Sequence, residues 1–327
     1  MRSTNRRVRG AASVLILTAL SGCDNVKWGG SEVQFIPPPP AGGTLEVSEN
    51  PQTYADLGLP GGPVVFHVVR GPGGAQLIPV GEVSGDSLRT LRRPAGVERG
   101  AYEQRFRQAV METGSQFDLF RRGARVGTFQ VGGNGTATQC GVPTALGSAT
   151  VVASAADAQE FVAFRRGLSP QVIGEYSPPQ ITGPMRTFAS IVAERLVLQN
   201  GLPRPRSWVG AQRDMQPLEV SGGGTPEMAA TYLVGDSLGV GAAQPDGYSI
   251  LYIASYETRS GYTPFYSAAR DYRRVPKGAP KVVDYLNWNV AEGPEILVQV
   301  FGRDQAWYEV IARRGNRWAK VWEGSQC

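Results

Sequence analysis

The stretch EILVQVFGRDQAWYEVIARRGNRWAKVWE, Glu295–Glu323, reads as three β-strands separated by two turns. Glu295–Phe301, Ala306–Arg313 and Arg317–Glu323 are apolar-rich runs in which aromatic and β-branched residues recur, as strands favour. Gly302-Arg303-Asp304 and Gly315-Asn316 supply the turn residues between them. Short strands joined by tight turns predict an antiparallel meander.

Upstream, parts of this pattern recur. Asp246-Gly247 matches Glu292-Gly293, Ile250-Leu251 matches Ile296-Leu297, and Tyr262 matches Tyr308. Tyr272 matches Trp318, and Arg274-Val275 matches Lys320-Val321, all at an offset of 46. Asp236 and Asp284 correspond at an offset of 48. A period in the forties containing several strands suits stacked β-meanders. Two copies are too few to close a propeller, so the expectation is a C-terminal β-domain built by duplication.

The first half carries the same signature in shorter pieces. Val64–Val69 is a strand bounded by Gly61-Gly62-Pro63 and Gly71-Pro72-Gly73-Gly74. Gln116–Phe120 and Val126–Val131 form a hairpin around Gly123, which can supply φ > 0. Ala149–Ala153 and Glu160–Phe164 are further strands. Tyr102, Phe106 and Val110, spaced by four, fit either period and read as a strand among strands. One helix is expected, from Thr187 to Asn200, with Phe188, Ile191, Val192 and Leu196 on one face, and it should pack between the two halves. Asn200-Gly201 ends it, and Pro203 blocks its continuation. The expected fold is mainly β: a β-sandwich-like domain over residues 44–180, one connecting helix, and a duplicated meander domain completing 181–327.

The N-terminus has a different character. Arg2, Arg6, Arg7 and Arg9 precede the apolar stretch Ala11–Leu20, which is too short for a membrane-spanning helix of about 20 residues. A cleaved export signal over residues 1–22 is the expectation. Leu20-Ser21-Gly22-Cys23 resembles the lipobox of bacterial lipoproteins. The resemblance implies that Cys23 is acylated and becomes the first residue of a chain anchored in a lipid bilayer at the cell envelope, outside the cytoplasm. Inner and outer membrane both remain open. Pro37–Pro40, followed by Gly42-Gly43, makes residues 23–43 a tether that lifts the body off the lipid surface.

Charge narrows the partners. The chain has 33 Lys and Arg against 28 Asp and Glu, but removing the four leader arginines leaves 29 against 28. Net charge therefore gives no reason to expect a nucleic-acid partner. The 42 Gly and 24 Pro indicate a turn-rich body, and 41% apolar residues suffice for a core. Beyond Cys23, Cys140 and Cys327 are expected to bridge in an oxidising compartment.

Chemistry is harder to find. His67 is the only histidine, so multi-histidine zinc chemistry is excluded, and no Gly-x-Ser-x-Gly elbow accompanies it. On its strand it shares a face with Val65 and Val69 and reads as a half-buried imidazole. Gly222-Gly223-Gly224 and Gly239-Val240-Gly241 lack the rest of a phosphate-loop motif and read as turns. Asp284-Tyr285-Leu286-Asn287-Trp288-Asn289, with Glu292-Gly293 and the strand from Glu295, resembles a degenerate repeat of the FG-GAP/VCBS kind. That resemblance implies a calcium loop of which Asp284, Asn287, Asn289 and Glu292 supply only part, because calcium takes six to eight oxygens and the regular Asp-x-Asp-Gly spacing is missing. No other cofactor is expected. The dense aromatic residues of the C-terminal half suit either a core or a recognition face. The function expected is non-catalytic binding or scaffolding with a protein or glycan partner; the competing expectation is a carboxylate-dependent hydrolase of envelope polysaccharide.

Overall fold

The computed structural model describes residues 57–85, 87–138, 140–172, 174–178, 180–289 and 293–325. The leader, Cys23, the proline tether, Glu292 and Cys327 lie outside the described residues. The described residues fall within one compact unit, Glu49–Cys327.

The chain is mainly β, in antiparallel sheets. The first sheet contains β1 (Val64–Gly71), β2 (Gly74–Ser84), β3 (Ser87–Thr90), β4 (Gln116–Arg121), β5 (Ala124–Asn134), β6 (Ala145–Val151) and β7 (Glu160–Arg165). Its order is β1-β7-β4-β5-β6-β2-β3, and β1 also pairs with β2. Six strands therefore close on themselves, with β3 appended to β2. The two walls expected of a sandwich are here opposite sides of one barrel, and closure leaves those six strands no open edge. Alternation along β1 sends Phe66 and Val68 into the barrel, where they meet Leu77, Phe117, Leu119 and Phe129. Val65 and His67 point outward.

Between β3 and β4 lies a helix, α1 (Arg99–Val110), where the sequence suggested a strand. Tyr102, Phe106 and Val110 are buried in the barrel cluster. Two physical facts decide for the helix. Glu98 caps it, its carboxylate accepting the N–H of Gly100 at 2.8 Å and of Ala101 at 2.7 Å. A strand would also have turned Gln104 and Gln108 onto the apolar face, whereas the helix leaves both exposed.

The second half contains two consecutive four-stranded meanders. One is β8 (Gln212–Leu218), β9 (Glu227–Val234), β10 (Tyr248–Glu257) and β11 (Gly261–Asp271). The other is β12 (Ala279–Leu286), β13 (Glu295–Phe301), β14 (Ala306–Arg314) and β15 (Arg317–Glu323). The offset of 46 places β10 on β13 and β11 on β14, the third and fourth strands of one sheet on the second and third of the next. It sets Tyr272–Val275, a turn, against Trp318–Val321, a strand. The similarity is thus one of strand chemistry, displaced by a strand from the division into sheets.

Both meanders are covered on both faces. Tyr232, Tyr248, Ile250 and Tyr252 pack under α2 (Gly183–Gln199). Leu251 and Ile253, on the opposite face, meet Ile296, Val298 and Val300 of β13. Leu297, with Val283, Val310 and Trp322, packs on Val65, Phe120, Val162 and Phe164 of the barrel's outer wall. The layers are helix, meander, meander, barrel. Helix α2 begins four residues earlier than the periodicity indicated, because Thr182 caps it and Pro184 lies within its first turn. It covers the outer face of the first meander. Alanines fill its buried stripe, with Ala189 and Ala193 beside Val192 and Leu196, while Ile191 is 45% exposed. No described helix is long and apolar enough to cross a membrane.

Candidate functional site

A cluster of titratable groups lies on the seam where the barrel wall meets the two meanders. Strand β1 delivers His67, which is completely buried, more so than its half-polar strand suggested, because β14 lies across it. Its Nδ1 is 2.9 Å from the Tyr308 hydroxyl, and the two rings meet edge to face at 5.7 Å. Its Nε2 is 3.8 Å from Glu160 Oε1 and has no hydrogen-bond partner among the described residues. Burial, with Lys281 and Arg121 nearby, lowers the imidazole to about 4 against the pull of Glu160, so at neutral pH the ring is uncharged. Burial also raises the Tyr308 phenol, and Glu160 adds to that effect.

Lys281 of β12 crosses the seam to Glu160 Oε2 at 2.6 Å. Asp214 of β8 lies within the influence of the same lysine. Burial raises its carboxyl despite Lys281 and the amide of Gln216, which donates to Asp214 Oδ2 at 3.1 Å and to the Val282 carbonyl at 2.8 Å. The seam thus draws one group from each of β1, β7, β8, β12 and β14.

Beside it, the β4–β5 hairpin plugs into the second meander. Its two turn residues, Arg122 (φ 51°) and Gly123 (φ 72°), are both left-handed, as a type I′ turn requires. Asp284 Oδ1 accepts the backbone N–H of Arg122 and of Tyr285, each at 2.9 Å. Arg121 donates to the Val283 carbonyl at 2.6 Å and stands 3.3 Å from Asp284 Oδ2. Arg122 donates to the Pro217 carbonyl, and Gly123 N–H to the Tyr285 carbonyl at 3.1 Å.

This arrangement occupies Asp284, the first residue of the candidate calcium loop. Asp284 serves as a clamp on the barrel hairpin, with a guanidinium beside the oxygen that an ion would need. Asn287, just past β12, has a buried Oδ1 without a hydrogen-bond partner among the described residues. Asn289 lies two residues further on, and Glu292 is outside the described residues. Among those described, no three His, Cys, Asp or Glu side chains are grouped to hold a metal ion.

The other inward carboxylates also hold structural donors. Asp118 accepts from Arg125 and from the Ser169 hydroxyl, each at 2.7 Å. Glu82 accepts the N–H of Gly61 and Gly62 and the Arg89 guanidinium. Glu309 accepts from Arg270 at 2.6 Å. Glu295 differs: burial pushes its carboxyl up to about 7, against the N–H of Trp288 at 3.2 Å. The aromatic-rich half is largely core, since Tyr232, Tyr248, Tyr252, Tyr262, Trp307 and Trp322 are all buried and Tyr256 is exposed. Cys140 packs partly buried against the barrel core, its Sγ 3.8 Å from the Ser325 carbonyl oxygen.

Sequence reasoning singled out His67 and Asp284 but not their partners. Tyr308 is 241 positions from His67, and no local pattern links them. Comparison of the chain with protein-family models, with curated proteins and with solved structures finds no match.

Proposed function

We propose that the protein is a lipid-anchored lipoprotein of the bacterial cell envelope, facing away from the cytoplasm, with a non-catalytic binding or scaffolding role toward a protein or glycan. The observation that carries this reading is the order of basic leader, apolar segment and Leu20-Ser21-Gly22-Cys23. Acyl chains on Cys23 contribute roughly 0.8 kcal/mol per buried CH2, so two or more hold the body on a bilayer. The burial of His67 and Asp284, and the engagement of Glu160 by Lys281, as ties between layers support a platform in preference to an active centre. The test is fractionation with mass spectrometry: the wild-type chain should sediment with membranes with fatty acid on Cys23, and the Cys23→Ser chain should not. An unmodified Cys23 in native material would refute the reading.

A Cys140–Cys327 bridge belongs to the same proposal. It is supported by the approach of Ser325 to Cys140 and by the oxidising compartment that the leader implies.

One observation favours the hydrolase alternative. A carboxyl held near 7, as at Glu295, is suited to donate a proton at neutral pH. Turnover of an envelope polysaccharide, abolished by Glu295→Gln in a chain that remains folded, would establish that alternative and displace the scaffold.

A further inference from the structure

A cleft of about 560 Å3 opens at the edge of the first meander, between the segment 203–207, the start of β8 and the loop before β10. Its size falls within the range of small-molecule sites. Three arginines line it: Arg204, Arg206 and Arg213. Arg204 is held by Glu194 of α2 at 2.6 Å. Arg206 and Arg213 are exposed and have no acceptor among the described residues.

The walls are fixed before any ligand arrives. Pro203 and Pro205 alternate with Arg204 and Arg206 and lock the backbone φ on either side. The Pro203 carbonyl accepts the Tyr248 hydroxyl at 2.8 Å, which ties the segment to β10. Arg213 is the extra residue of a β-bulge, because Gln212 pairs with Tyr232 and Asp214 with the adjacent Thr231. Bulges re-aim a side chain out of the ladder, and this one places Arg213 in the cleft. Across from it, Gln244 N–H donates to the Gly235 carbonyl at 2.8 Å and closes the loop. Gln244 and Asp246 bring acceptors to the lining. Ser207 Oγ accepts from Gly210 N–H at 3.1 Å, leaving its own proton to donate.

Unpaired guanidinium groups recognise oxyanions through paired N–H donors. The nearby carboxylate and amide suit a set of hydroxyl donors spread several ångströms from the acid, which an acidic sugar offers and the compact phosphate ion does not. We propose that this cleft binds an anionic glycan segment, its acid group held between Arg206 and Arg213 and its hydroxyls facing Asp246 and Gln244. This deepens the glycan branch of the proposed function and rests on that reading.

Calorimetry on the full chain in detergent micelles tests it, with a galacturonate trisaccharide, a sugar-phosphate disaccharide, neutral galactotriose, triglutamate and inorganic phosphate as probes. One of the two acidic sugars should bind saturably, and which one identifies carboxylate or phosphate as the acid. Arg206→Ala/Arg213→Ala should weaken that binding by about tenfold or more, while Arg186→Ala, outside the cleft, should leave it unchanged. Circular dichroism should show both variants folded. Absence of binding to both acidic sugars, equal binding of triglutamate or galactotriose, tight binding of phosphate alone, or an unaffected double variant would each overturn the proposal. Because calorimetry does not depend on anchoring, loss of the cleft and loss of the lipoprotein reading are separate results: the Cys23→Ser fractionation reports only the second.

Discussion

The Nδ1 of His67 and the hydroxyl of Tyr308, 2.9 Å apart, join the barrel to the second meander at a point where the imidazole is fully buried. Neutral imidazole can both donate and accept, so one nitrogen serves Tyr308 while the other faces Glu160 at 3.8 Å. Charging the ring would place a cation beside Lys281 and Arg121 with Glu160 alone to compensate. Folding therefore selects the uncharged ring.

That selection makes stability depend on pH. The folded imidazole is lowered to about 4 from 6.5, so the unfolded chain binds the extra proton first. The contribution is complete above about pH 6.5 and is lost progressively as the pH falls toward 4. The full shift corresponds to about 3 kcal/mol. Glu295, raised to about 7 by burial, titrates in the same interval with the opposite sign, so the His67 effect is read as a difference. The urea midpoint of the wild type should fall relative to that of His67→Gln as the pH goes from 7 to 5. A difference between the two chains that stays constant over this interval would contradict the buried neutral ring.

The Asp284 clamp predicts a second effect. Removing its carboxylate leaves Arg121 buried without its partner and two N–H groups without an acceptor, so Asp284→Ala should cost about 3–5 kcal/mol. Arg121→Met/Asp284→Leu should cost less than the sum of the single substitutions, because neither charge is then stranded. Melting temperatures of all four chains give the coupling. Adding EDTA or calcium should leave the wild-type melting temperature unchanged, since the carboxylate already serves Arg121, Arg122 and Tyr285.

The hairpin tip predicts a third. Gly123 has φ 72°, and a Cβ there would meet the Tyr285 ring at 3.3 Å. Gly123→Ala should destabilise by about 1–2 kcal/mol from the left-handed backbone alone, and more if the ring cannot yield. Gly85, with φ 59° and open space around it, provides a control: Gly85→Ala pays the backbone cost without the ring. Equal losses at the two sites would show that Tyr285 gives way freely.

The strands and turns were legible because they depend on neighbouring residues. EILVQVF at Glu295–Phe301 is apolar on both faces because it lies between two covered layers, and its bounds match β13. Gly123 announced its turn. Tyr102, Phe106 and Val110 misled because a spacing of four fits both periods, although Gln104 and Gln108 carried the information that resolves it. Ala189 and Ala193 hid half of α2's buried stripe by being small. Barrel closure was illegible, because it needs β1 to pair with both β2 and β7. So was the seam, assembled from five strands whose polar residues look like ordinary surface positions until the layers meet.

The last prediction concerns the chain's end. Cys140 sits against the barrel core while Ser325, following the last strand of the second meander, approaches its sulfur. A bridge from Cys140 to Cys327 would close a loop across nearly the whole body and contribute about 3–5 kcal/mol by restricting the unfolded chain. Cys140→Ser and Cys327→Ser should each lower the denaturation midpoint by the same amount. The double substitution should lower it no further, because either change alone removes the bond. Dithiothreitol should lower the wild-type midpoint to that of the variants and leave theirs unmoved. If the single variants differ from one another, or if reductant leaves the wild type unchanged, the two cysteines are not joined and the C-terminal segment is held by packing alone.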